Sequence, residues 1–197
     1  MTNEHDFTRR RLITALAGLT LANVALPSSA ADATKTQNSR RILVAYFSRS
    51  GNTRVIAGVI HRNLKTDLFE IESATPYPDD YFQTVAQAKD ERDRGIRPPL
   101  KNGVTNIDRY QTIYLGFPVW GTTVPPIVQT FLSTHNLTGK TLIPFITHGG
   151  YGLGNSKEIL AALTPGNKWE QPLTIECDQE RKTTETVARW LDTIQTS

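Results

Sequence analysis

Cysteine is almost missing from this 197-residue chain, which has Cys177 alone. A single thiol cannot close an internal disulfide or build a thiolate metal site, so the fold has to stand on its apolar core. The four histidines, His5, His61, His135 and His148, show no ligand spacing, and Cys-x-x-Cys and His-x-x-x-His do not occur, so no metal is expected. Long runs of like charge are missing too. The formal charge of +3 comes from 22 basic and 19 acidic residues mixed along the chain, without an Arg/Lys stripe interleaved with aromatics, which argues against a nucleic-acid surface despite a pI of 9.1. A Gly-x-Ser-x-Gly elbow is absent, which leaves serine hydrolysis without its nucleophile. Cys177 and Arg181 stand as Cys-x3-Arg, too short for the Cys-x5-Arg loop of a low-molecular-weight tyrosine phosphatase, so Cys177 reads as a small residue at a strand end.

A long apolar run is also lacking, and this bears on the N-terminus. Thr8-Arg9-Arg10-Arg11-Leu12-Ile13 precedes an apolar stretch from Leu12 to Leu26 that is diluted by Thr14, Gly18, Thr20 and Asn23 and followed by Pro27-Ser28-Ser29-Ala30-Ala31. Charged, apolar and small residues in that order make a removable export signal, and paired arginines mark the twin-arginine form. A permanent anchor would need ~20 strongly apolar residues. The expected organisation is an export signal over 1–30, a polar, disordered lead-in over 31–40, and one domain over 41–197, delivered to the periplasm by the twin-arginine machinery and without a permanent membrane anchor.

From Arg41 onward, short apolar runs alternate with longer amphipathic ones, the pattern of a parallel sheet covered by helices on both faces. Strands are expected at 42–47, 68–71, 112–117, 141–146 and 173–175, and helices at 53–65, 79–94, 125–133, 156–163 and 183–193. Pro144 dissents, since proline removes a ladder donor and favours edges or bulges. In the second helix the stretch from Gln87 to Arg94 is almost wholly polar or charged and reads as solvated, with contact to a partner as the alternative.

Chemistry concentrates in three loops, each after a strand. The first, Ser48-Arg49-Ser50-Gly51-Asn52-Thr53, packs hydroxyls, a glycine and an amide before a helix. Unpaired N–H groups and the positive end of the dipole favour an anion there by roughly 0.3–2 kcal/mol, and the side chains add donors. An ordinary capped turn is the competing reading. A triphosphatase loop needs a lysine after the glycine and a dinucleotide fold needs Gly-x-Gly-x-x-Gly, and this loop has neither. The second loop carries Pro118-Val119-Trp120-Gly121-Thr122. Trp120 offers a flat face to a ligand, or else plugs the gap between helix and loop. The third, His148-Gly149-Gly150-Tyr151-Gly152-Leu153-Gly154, is rich enough in glycine to suit close backbone approach to a ligand. In an open sheet of order 2-1-3-4-5 these loops meet where connectivity reverses.

Tyr46-Phe47-Ser48-Arg49-Ser50-Gly51-Asn52-Thr53 resembles the flavin mononucleotide (FMN) loop of flavodoxins, Y-F-S-x-T-G-N-T. Gly116-Phe117-Pro118-Val119-Trp120-Gly121-Thr122 and the run from Thr147 to Ser156 are similar to the G-Y-P-I-W-W-G-T and T-H-G-G-x-G-L-G-x-S loops of a small flavodoxin-like branch. The resemblance spans about Arg41 to Trp190. It implies an α/β three-layer sandwich with a five-stranded parallel sheet of order 2-1-3-4-5. It further implies that Ser48, Arg49, Ser50, Gly51, Asn52 and Thr53 hold the FMN phosphate, while Pro118, Val119, Trp120, Gly121 and Thr122 with His148, Gly149, Gly150, Tyr151 and Gly152 frame the ring. Gly121 departs from that pattern, where a second tryptophan is common, and so does Tyr151, at a usually small position. The implied function is electron transfer to a redox partner protein. The alternatives are an NAD(P)H-dependent quinone or flavin reductase, and a non-redox module for a phosphorylated ligand.

Overall fold

A computed structural model of the chain describes residues 41–177 and 180–195. The expected signal and lead-in lie outside the described residues. Six parallel strands, β1 (Ile42–Tyr46), β2 (Asp67–Glu70), β3 (Thr112–Pro118), β4 (Thr141–His148), β5 (Lys168–Trp169) and β6 (Leu173–Glu176), form one sheet. They alternate with helices α1 (Asn52–Leu64), α2 (Tyr81–Asp93), α3 (Pro126–Thr134), α4 (Ser156–Leu163) and α5 (Glu180–Gln195). The order is β2-β1-β3-β4-β5, with β6 also paired to β4.

Strand alternation sorts the core into two layers. Leu43, Ala45 and Phe47 face one side with Leu115, Phe117, Ile127 and Phe131, whereas Val44 and Tyr46 face the other with Ile56, Ile60, Val187 and Leu191. Helices α3 and α4 therefore cover one face and α1 and α5 the other, giving the three-layer sandwich.

Two expectations need correction. The fifth strand is split: β4 pairs β5 through Thr141 and Leu142, then β6 from Phe145 to His148. Lys168–Trp169 is too short to carry an alternating signal and escaped the sequence reading. The split also explains Pro144, which pairs with Leu115 of β3 but stands opposite the gap between β5 and β6, where a missing N–H costs no ladder bond. The second correction concerns α2, whose polar half is not simply solvated. Glu91 is only 5% exposed and accepts from the Tyr77 hydroxyl at 2.8 Å and from the Gln87 amide at 2.8 Å. A carboxylate so engaged is a buried anchor, and composition alone does not distinguish it from a solvated one.

The C-terminal ends of β1, β3, β4 and β6 lie along one edge of the sheet. The three candidate loops leave from that edge beside the β1/β3 reversal.

Candidate functional site

The 48–53 loop turns tightly from β1 into α1, with Gly51 at φ 93 as the residue before the helix. No acceptor among the described residues takes the N–H groups of Ser50, Gly51, Asn52 or Thr53. The Ser48 hydroxyl caps the next one, accepting from the Arg54 N–H at 3.2 Å, which leaves its own proton to donate. The Thr53 hydroxyl, 1% exposed, lies 2.9 Å from that of Thr147 at the end of β4. One hydroxyl donates to the other, so one further proton remains in a buried setting where polar groups are normally satisfied. Free amides, two hydroxyl protons and the helix dipole make a receptor for a phosphate monoester with no metal needed. Arg49 behaves differently from expectation. Its side chain reaches to α2, donating to the Asp79 carbonyl at 2.6 Å and to the Thr84 hydroxyl at 3.3 Å, with its guanidinium 5.8 Å from the centre of the Tyr81 ring.

Trp120 is locked edge-on against Phe47 and Tyr77, each ring centre 5.0 Å away and nearly perpendicular. Such edge contacts fix the indole plane. Tyr77 is held in turn by Glu91, and burial followed by that hydrogen bond pushes its phenol well above the ordinary value. Beyond Trp120 the chain reverses through Gly121 (φ 55) and Thr122 (φ 69), with Trp120 and Thr123 exchanging N–H···O bonds of 3.0 and 3.2 Å. Two successive positive φ values are the mark of a type I′ turn, and a β-branched threonine there is strained. The third loop supplies the clamp. Asn155 N–H donates to the Thr122 carbonyl at 3.0 Å, and Gly154 packs so closely that a Cβ on it would overlap that carbonyl.

A cavity of about 540 Å³ brings together Arg49, Ser50, Pro118, Val119, Trp120, Gly121, His148 and Gly149 of the expected set. Its volume falls within the range of about 300–1,000 Å³ typical of small-molecule sites. Ser48, Gly51, Asn52 and Thr53 belong to the same loop without lining it, and Thr122 belongs to the turn that follows Gly121. Gly150 and Gly152, both at positive φ, carry the third loop around His148, whose Nδ1 accepts from the Gly150 N–H at 3.1 Å. That bond leaves the neutral ring's proton on Nε2. Tyr151 does not join the cavity and stands 88% exposed.

Sequence reasoning missed the other wall. Tyr81, Thr84, Val85, Ala88, Lys89 and Arg92 of α2 line the cavity, with Thr147 and Cys177. The available signal was Tyr81, Val85, Ala88 and Arg92 at three- and four-residue spacing. A second cavity, of about 420 Å³, lies beyond Ser48 and Arg49 and is lined mainly by polar residues, including Glu70, Glu72 and Lys101.

Comparison with known proteins follows this geometry. The family profile described as flavodoxin matches residues 41–194, nearly all of the described chain. The chain belongs to the flavodoxin family. Among solved structures, this flavodoxin-family chain is similar to two proteins assigned as flavoproteins. One, from Bacteroides uniformis, is 30% identical with a TM-score of 0.69, over 78% of this chain and 99% of that one. The other, from Bacteroides eggerthii, is 33% identical with a TM-score of 0.68, over 79% and 98%. A flavoprotein of Lactobacillus acidophilus, solved in complex with FMN, shares 21% identity and a TM-score of 0.61 over 74% and 99% of the two chains, a likeness of fold. Comparison with curated proteins gave no match.

Proposed function

We propose that this flavodoxin-family chain binds FMN in the cleft and passes electrons through it. The observation that carries the reading is the set of N–H groups over Ser50, Gly51, Asn52 and Thr53 that no acceptor among the described residues takes, backed by the Ser48 and Thr53 hydroxyls and opening beside the Trp120 cavity. That receptor suits a phosphate joined to a flat group, and a flavoprotein of the same fold is known with FMN.

When bound, the flavin supplies reversible electron chemistry, and the protein supplies position and field. The loop amides and hydroxyls fix the phosphate. Trp120, immobilised by Phe47 and Tyr77, presents a set face to the ring and keeps water from it. Pro118 and Val119 continue that wall from the end of β3. His148 holds an N–H at Nε2 at the margin of the cavity, and this feature favours a second reading, a reductase of small molecules in which that N–H donates a hydrogen bond to the substrate. On the export expectation of the N-terminal segment, the loaded protein would work in the periplasm.

Purified protein incubated with FMN and passed through a desalting column should stay yellow, and riboflavin, which lacks the phosphate, should wash away. Equal retention of the two would overturn the phosphate assignment. The loaded protein should cycle between reduction by dithionite and reoxidation by ferricyanide with its flavin retained. Sustained oxidation of NADH or NADPH would instead move the assignment to the reductase.

A further inference from the structure

The cavity beside Trp120 carries charge of one sign. Arg49, Lys89 and Arg92 line it and, among the described residues, no aspartate or glutamate does. Lys89 and Arg92 both reach Asp93, at 2.6 and 3.3 Å, but that carboxylate is half-exposed and serves two cations. Arg49 is held by a neutral carbonyl and a neutral hydroxyl. The rim thus stays cationic after its internal pairing.

Arg92 is placed by shape as well as by charge. Its guanidinium occupies the space a side chain on Gly121 would need, since a Cβ there would collide with Arg92 Nη1. The Trp120 end of the cavity therefore closes on a guanidinium laid over bare main chain. Apolar and aromatic surface runs beside the cations: Val85 is half-exposed and Tyr81 is 62% exposed, both on the α2 wall. Flat apolar surface next to unsatisfied cations recognises a particular chemistry, a planar aromatic molecule with an anionic group.

We infer that this cavity admits a planar aromatic anion, a carboxylate or sulfonate, alongside the flavin, with Arg92 and Lys89 as the residues that select its charge. The inference rests on the FMN reading, because the flavin is the second wall against which such a molecule lies. Arg92 donates to the anion from the Gly121 side and Lys89 from one turn earlier on α2, while Tyr81 and Val85 cover its ring. A neutral analogue keeps the apolar contact and loses the charged hydrogen bond, and a cationic analogue meets repulsion.

The test is binding, not turnover. FMN-loaded protein is titrated calorimetrically with three redox-inert probes of one shape: naphthalenesulfonate, naphthalenemethanol and naphthyl(trimethyl)ammonium. The sulfonate should bind about tenfold tighter than the alcohol, the scale of one charge-assisted hydrogen bond, and the ammonium weakest. Arg92→Gln with Lys89→Gln should erase the preference, Arg92→Lys should keep most of it, and Lys168→Gln, the loss of a single cation at the far end of β4, should leave it intact. If Arg92→Gln fails to hold flavin, Lys89→Gln alone should still reduce the preference. Equal affinity for the three probes would overturn the inference, as would an unchanged preference in the double variant. Flavin content is read from the absorbance of each sample, so a colourless parent protein would sink the FMN reading itself, and this inference with it.

Discussion

At the 48–53 end of the cleft the hydroxyls of Ser48 and Thr53 are buried and bonded within regular structure, whereas at the 120–154 end the turn is exposed and held by main-chain contacts at positive φ. Thr53 and Thr147 face each other across the helix start and β4, and Ser48 caps Arg54. In the other region Gly121 and Thr122 turn back at positive φ, a strained conformation for Thr122, and are kept in place by Gly154 and Asn155. The first region owes its shape to regular structure, because a strand ends and a helix begins there. The second owes it to one loop pressing on another. The phosphate end should therefore tolerate small side-chain changes with graded losses, while the ring end should fail abruptly where the clamp is broken.

The largest effect should come from Gly154→Val. A Cβ at that position overlaps the Thr122 carbonyl and sits at φ 55, where a β-branched residue is itself disfavoured. The turn must move, and with it Trp120 and the ring wall. About 3 kcal/mol of lost binding, roughly 100-fold in FMN affinity, is the expected result by fluorescence titration. Circular dichroism should show the sheet intact. An affinity within threefold of the parent would mean that the clamp does not shape the ring site.

Next comes the phosphate end. Ser48→Ala combined with Thr53→Ala should weaken FMN by at least about tenfold, since each hydroxyl offers a hydrogen bond to a charged oxygen worth ~1.5–3 kcal/mol. Riboflavin affinity should hardly change. A parallel loss for both ligands would place the damage in the fold and not in the phosphate contacts.

This contrast also marks what could be read in the sequence. The loop from β1 into α1 was legible because its polar residues are contiguous, with Ser48, Ser50, Gly51, Asn52 and Thr53 between a strand and a helix. The helix-covered parallel sheet followed from alternating apolar runs and its order from the flavodoxin resemblance, although two-residue β5 was beyond any periodicity. The α2 wall was harder to read, because the three- and four-residue spacing of Tyr81, Val85, Ala88 and Arg92 is also that of any helix face, and only packing against the 119–122 turn makes them part of a site. Arg49 was placed on the phosphate by contiguity, and its side chain turned to Asp79 and Thr84 through a contact thirty residues away.

Alkaline pH should separate the ring end from the sheet that carries it, by a smaller amount. Burial, followed by the nearby Glu170 charge, pushes the Tyr114 phenol in the sheet up to about 12, and burial followed by the Glu91 hydrogen bond raises Tyr77 at the ring end. A phenol whose folded value lies above its unfolded value of 10.0 favours the native state fully below that pH, and the benefit is lost as pH climbs through the folded value. Urea midpoints should thus fall from about pH 10 upward. Tyr114→Phe should flatten that fall with little effect on FMN. Tyr77→Phe should flatten it and also loosen FMN severalfold at neutral pH, because it frees Trp120's neighbour from Glu91 and leaves a buried carboxylate short of a partner, at about 1–3 kcal/mol. Identical behaviour of the two variants toward FMN would erase the link drawn from Glu91 through Tyr77 to Trp120.

The smallest effect should come from Tyr151→Ala. Gly150 at φ 97 and Gly152 at φ 69 turn the chain on either side of it, and the ring emerges 88% exposed, outside the cavity that holds Trp120, His148 and Gly149. An aromatic side chain in that position gives up little contact when removed, and surface changes of this kind usually stay within about 0.5 kcal/mol. FMN affinity should accordingly shift by no more than about twofold, and the flavin's midpoint potential should not move. Trp120→Ala is the necessary companion measurement, because it removes a wall locked by Phe47 and Tyr77 and should lower affinity by several times that amount. Should Tyr151→Ala match Trp120→Ala in both affinity and potential, the third loop must fold over the ring when flavin binds. The ring end would then be a closing device, in sharper contrast with the preformed phosphate end.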